Sequence, residues 1–283
     1  MEPLSLIALS AVIGGAAGKF VEKAWDSGEK WINSFFQNHR EKALVQAKVN
    51  AMDFLSNLAE RVKILEESRT ISKDQIESAQ EHPDFSILLQ KAILSSSQTD
   101  SEEKHFLLAR LVSERLGSSP ESVLSLASKI ACDAISYTNI RQLKALGLLA
   151  TVYDIRPNDY GQDGLTSEQF YSYFKNWLVI RLKPFQGLRI NKLDMLHLES
   201  LSCLKWDTFI TRDLAVILSV PNKPAYIFNL EDFKTTGIGK EIHDYWENNR
   251  LNSATLTSVG QLIGVYVSDL LTKTTTTFHG WDE

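Results

Sequence analysis

Cysteine is almost absent. Cys132 and Cys203 stand far apart, with no CxxC and no Cys/His cluster, which excludes a disulfide framework and a zinc site. Such usage fits a reducing, cytosolic compartment. An excess of cations is also missing, since 30 Lys and Arg face 35 Asp and Glu for a net charge of −5. That balance argues against a general nucleic-acid binder, whose affinity comes from many neutralised phosphates. No HExxH, GxSxG or GxGxxG occurs, and Gly237-Ile-Gly239-Lys240 is followed by Glu241 where a phosphate loop needs Ser or Thr. The six histidines are scattered, none with a second ligand three or four residues on, and Arg189 and His197 are too far apart for an Arg/His ribonuclease helix. Asp159 and Asp163 lack the spacing and terminal glutamate of a calcium loop. The expectation is no catalytic residue, no metal, no cofactor and no enzymatic activity.

What is present is average globular material, 43% hydrophobic and 23% charged over 283 residues, enough for about two domains. One segment stands out. Pro3 to Gly18 runs without a charge and is followed at once by Lys19, Glu22 and Lys23. A secretory signal would want a basic start and a small-residue cleavage site, and neither is there. The run is short of the roughly 20 apolar residues that span a bilayer. At helical spacing Ser10, Gly14 and Gly18 form one stripe with Gly15 beside it, a GxxxG pattern along which backbones can approach closely. Each glycine costs a helix interior about 1 kcal/mol relative to alanine, so the stripe calls for a compensating contact. Phe20, Trp25 and Trp31 follow among lysines, a mixture suited to a lipid headgroup boundary. Three outlets stay open: a first helix buried in a bundle, an oligomer interface, or a membrane-inserting helix.

The rest of the first half is helical in pattern. Leu44, Ala47, Ala51, Leu55, Leu58, Val62 and Leu65 make one apolar stripe. Further starts are read at Asp84, a cap after a turn at His82-Pro83, at Asp100 with Glu103, at Ser119-Pro120 and at Thr138. Residues 1–153 are expected to form a helical bundle, and 154–165, rich in proline, glycine and acid, a linker or long loop. Thr166 with Gln169 opens another helix, and Asn191 caps LDMLHLESL. TFITRDLAVILS and PAYIF read as short pieces, β-rich or mixed. A motif recurs at Thr236-Gly-Ile-Gly239 and Thr257-Ser-Val-Gly260, each a threonine cap with glycine near the helix start. TTTTFHGWDE reads as a tail or edge strand. The fold class expected is therefore mainly α, with a smaller α+β winged-helix-like domain over 166–283.

The segments LLARLVSERLGSSPESVLSLASKIACDAISYTNIRQLKALGLL, LESLSCLKW and LTSVGQLIG together are similar in layout to uncharacterised bacterial proteins near the abortive-infection alpha (Abi-alpha) family, over residues 100–270. The resemblance implies a bacterial protein of antiviral defence and carries over no functional residues. The combined expectation is an effector acting by homo-oligomerisation, by a protein partner, or at the membrane. It would be cytoplasmic, or peripheral to or inserted in the inner membrane. The alternatives are a structural adaptor of a defence complex and a winged-helix DNA-binding regulator using Arg189, Lys192 and Lys205. Asp194 and Glu199 beside those cations speak against nucleic acid.

Overall fold

The computed structural model describes residues 13–158, 160, 164–207, 209–223 and 226–276. They form thirteen α-helices and one two-stranded sheet, and divide into two compact units that part between Tyr137 and Thr138. Ser10 and the TFHGWDE end of the chain lie outside the described residues.

The first unit is a helical bundle of α1 (Gly15–Phe35), α2 (Glu41–Glu67), α3 (Lys73–Glu81), α4 (Pro83–Ser97), α5 (Glu102–Arg115) and α6 (Val123–Tyr137). The stripe read on α2 is its buried face: Ala47, Ala51, Leu55, Leu58 and Val62 sit inside, joined by Phe54, while α1, α4 and α5 pack around it. α3 starts with a capping box in which Ser72 accepts from the Gln75 N–H and Gln75 returns the bond. Pro83 takes the first position of α4, where its missing N–H costs nothing. Ser101, not Asp100, caps α5, because its hydroxyl reaches the Lys104 N–H at 3.3 Å. The buried Arg115 guanidinium pairs with Asp84 at 2.7 Å.

The second unit is built on α7 (Ile140–Tyr153) and α13 (Ser258–Thr272), which pack along one another. Thr151 and Ser268 share a buried hydroxyl hydrogen bond of 2.9 Å between them. Periodicity alone had grouped α7 with the preceding bundle. Its apolar residues Leu143, Leu146 and Leu149 are indeed buried, but in the unit of α13, because a helical pattern states that a face is covered and not by what. Asn139, rather than Thr138, caps it, with Gln142 closing the box.

Around this pair stand α8 (Ser167–Leu182), α9 (Lys192–Ser200), α10 (Leu214–Leu218), α11 (Leu230–Lys234) and α12 (Gly237–Asn248). Strand β1 (Leu204–Trp206) pairs antiparallel with β2 (Ala254–Leu256), Lys205 opposite Thr255. The stretch read as β-rich or mixed, TFITRDLAVILS, holds the short helix α10, where the Asp213 carboxylate accepts from the Val216 N–H.

Both copies of the threonine motif do one job. Thr236 and Thr257 accept from the N–H of Gly239 and Gly260; the Thr236 hydroxyl donates to the Phe233 carbonyl and the Thr257 hydroxyl to the Ser202 carbonyl at 2.5 Å, while the Cys203 carbonyl accepts the Thr257 N–H at 3.1 Å. A Cβ at Gly239 would lie 2.1 Å from the Phe233 oxygen, and one at Gly260 would lie 1.7 Å from the Cys203 oxygen. Only glycine lets these helix starts close on the carbonyls that their threonines hold.

Candidate functional site

The site predicted on the N-terminal helix changes character in the structure. Gly14 is the N-cap of α1 with φ 64°, and Gly15 has φ 62°. Both lie in the left-handed region that side chains avoid. Gly14, as a cap outside helical angles, therefore does not continue the stripe of Gly18, and Ser10 of the expected stripe lies outside the described residues. Consecutive glycines satisfy the GxxxG spacing and also supply the cheapest place to break it. Gly14 and Gly15 are exposed; Gly18 is buried.

Downstream of this joint, the small-residue face of α1 is spent inside the bundle. Ala17, Gly18, Phe20, Val21, Ala24, Gly28 and Ile32 are buried, and α1 packs on α2 and α4. At Gly28 the helices are close enough that a Cβ would lie 2.9 Å from Ile93 Cδ1. Phe20 meets Phe85 at 6.1 Å between ring centroids. Exposing Phe20, Val21 and Ile32 alone would cost on the order of 6 kcal/mol at about 2 kcal/mol each. That is a large fraction of the roughly 5–15 kcal/mol that holds a domain together.

What α1 leaves open is a cleft of about 580 Å³ between it, α3 and α4. Phe20 and Trp31 of the predicted set line it, with Phe85 and Leu89 beside them and Lys23, Glu77 and Glu81 also contributing to its wall. Trp25 is half-buried and does not line it. The contribution of α3 was hidden in the sequence, because that helix buries only Ile76 and Ala79 and gives a weak pattern.

The three cations proposed in the second unit are all exposed, and the structure separates them. Arg189 lines a cleft of about 380 Å³ with Arg141 and Lys144. Lys192 lines another, of about 420 Å³, with Trp206, Asn248, Asn249 and Arg250. Lys205 sits on β1 and lines neither. Arg141, Lys144, Trp206 and Arg250 were missed by sequence reasoning, since they lie tens of residues from Arg189 or in segments without a pattern.

Reactive chemistry is muted. Burial pushes the Cys132 and Cys203 thiols up to about 12, so both stay protonated. Among the described residues no three His, Cys, Asp or Glu side chains are grouped to hold a metal ion. The Gln142 side chain lies within hydrogen-bonding distance of both Asp194 and the His197 ring, which ties α7 to α9. No helix among the described residues is long and apolar enough to cross a membrane.

Neither the curated proteins nor the solved structures contain a significant match to this chain. A family model described only as ":-like", words that name no activity, matches residues 18–228, more than half of the sequence. The match begins within the first turn of α1 and extends past α10. By that match the chain belongs to this family.

Proposed function

We propose that this chain is a non-enzymatic, abortive-infection-like defence protein whose acting element is the uncharged run ahead of the Gly14–Gly15 joint. The observation that carries the reading is the joint itself. The bundle occupies the small-residue face of α1, so contact with a second copy or a bilayer must come from another segment, and the uncharged run of residues 3–13 is the apolar candidate in the sequence. Lys19 and Lys23, exposed just beyond the joint, would meet anionic headgroups. Even drawn as a helix at about 1.5 Å per residue, such a run reaches roughly half of a ~30 Å hydrocarbon core, so it would dip into a membrane rather than span it. The protein would then be cytoplasmic and act at the inner membrane or in a homo-oligomer.

Vesicle flotation and light scattering test this on the full chain and on Leu6→Asp plus Ile7→Asp. The native chain should float with anionic vesicles or assemble, and the double variant should do neither while keeping its helical circular dichroism. A native chain that stays monomeric and unfloated, or a variant that behaves like it, overturns the reading.

For the second unit we infer a winged-helix-like arrangement, supported by β1 and β2 pairing at the foot of α13 and by the threonine-capped helix starts. Helix α9, ahead of β1, carries Lys192 with Asp194 and Glu199, a mixture that favours docking a protein over reading a duplex. If duplex DNA were the partner, reversing Arg189 and Lys192 would abolish binding and flatten its salt dependence.

A further inference from the structure

The two clefts beside Arg189 and Lys192 lie at consecutive positions of one segment: residues 185–189 line the first and 190–192 the second. Together they present Arg141, Lys144, Arg189, Lys192 and Arg250, and no Asp or Glu lines either one. In a chain of net charge −5 this is a local reversal of sign. The carboxylates of the surrounding elements each have a partner, several of these partners in the walls of the clefts. Asp194 takes Arg141 at 2.7 Å, Glu199 takes the Trp206 N–H, Glu247 takes Asn252, and Glu241 takes the Gly187 N–H and the Tyr245 hydroxyl. Lys144, Arg189, Lys192 and Arg250 have no ion-pair partner among the described residues. Cations left unpaired along a concave surface are the electrostatic footprint of a polyanion.

The second cleft adds what a bare phosphate does not need. Trp206 is half-exposed there, and its ring is held by the indole N–H donating to the Arg250 carbonyl at 3.2 Å. Beside it stand Asn248 and Asn191, both exposed; the Asn191 Oδ1 caps α9 by accepting from the Asp194 N–H, which leaves its amide N–H groups to donate. A fixed aromatic face flanked by cations and amides stacks an unpaired base, accepts its polar edge and neutralises the phosphates on either side. A duplex hides its bases from such a face. We propose that residues 185–192, with Arg141, Lys144, Trp206 and Arg250, bind a single-stranded nucleic acid, with Trp206 as the stacking platform. This site is independent of the apolar run and would operate whether or not that run meets a membrane.

Fluorescence anisotropy with labelled single-stranded DNA and RNA 12-mers, and with a duplex of the same length, tests the assignment on the full chain over a series of salt concentrations. The single strands should bind more tightly than the duplex, and the better of the two names the natural source. Arg189→Glu plus Lys192→Glu should reduce the magnitude of the salt slope by about 1.4, two phosphates at roughly 0.7 each for single strands. Trp206→Ala should weaken binding by about tenfold or more, the scale of one lost base–aromatic stack, and Trp206→Phe should restore most of it. Unchanged circular dichroism guards against simple misfolding, and the phenylalanine variant keeps the test open if alanine does not fold. Absence of single-strand binding at low salt overturns the proposal. So does equal affinity for duplex and single strand, or a Trp206→Phe variant as weak as the charge-reversed one.

Discussion

Replacing Gly260 by alanine is the sharpest test of how the second unit is joined. The added methyl would start 1.7 Å from the Cys203 carbonyl oxygen and 3.2 Å from Leu256 Cδ2. The carbonyl must then retreat by more than an ångström. It is also the acceptor of the Thr257 N–H at 3.1 Å. Losing that bond costs about 1 kcal/mol, and forcing a methyl into a packed site adds about 1–3 kcal/mol. The better helix propensity of alanine returns at most about 1 kcal/mol, so the clash wins with a net loss of about 1–3 kcal/mol. In a unit of this size that lowers the melting midpoint by roughly 5–10 °C. Gly239→Ala, at 2.1 Å from the Phe233 oxygen, should behave alike. Gly237→Ala, in the same motif but with nothing within 4 Å of its Cβ, should melt within a degree or two of the native chain. Thermal unfolding followed by circular dichroism reads all three. A Gly260→Ala chain that melts with the Gly237→Ala control would show that the close approach is not what joins β1 to α13.

Other perturbations probe separate contacts. Asp269 is buried and accepts from Arg181, from the Thr274 hydroxyl and from both the N–H and hydroxyl of Thr276. Asp269→Ala leaves that guanidinium with only the Thr274 hydroxyl and the Trp177 ring, no counter-charge, and should cost about 3 kcal/mol, with faster proteolytic cutting after Thr272; unchanged urea unfolding would contradict it. Gly28→Leu should lower stability by about 1–3 kcal/mol through the α1–α4 seam at Ile93, and Gly14→Leu, with open space around it, should act through backbone strain alone. A melting curve that ranks Gly28→Leu as neutral would refute the packing assigned to α1. The thiols, raised by burial from 9.0 to about 12, carry almost no thiolate at pH 8; a thiol reagent should leave the native chain unlabelled and take up both cysteines in denaturant. Fast labelling of the native chain would show that Cys132 or Cys203 is reachable.

The long helices were legible because their apolar residues recur at threes and fours, and α2 follows its stripe from Ala47 to Val62. Caps at Thr166, Asn191, Thr236 and Thr257 were legible because each offers a side-chain oxygen three residues before the N–H it accepts from. Where two polar residues adjoin, the pattern does not choose: Ser101 caps in place of Asp100, and Asn139 in place of Thr138. The β-branched residues of TFITRDLAVILS leave a β-rich or mixed reading open, and the capping carboxylate of Asp213 decides for helix. The glycine stripe misled because spacing presumes helical backbone angles, which Gly14 and Gly15 do not have. The cationic clefts could not be read at all, since Arg141 and Arg189 meet only through the packing of the second unit.

The twin threonine–glycine joints also set the terms on which relatives of this chain can diverge. A helix start that admits no methyl group cannot drift by small steps, whereas a neighbouring glycine facing open space can. In relatives that carry both joints, position 237 should wander freely among small and polar residues, while 239 and 260 stay fixed even where every surrounding side chain has been replaced.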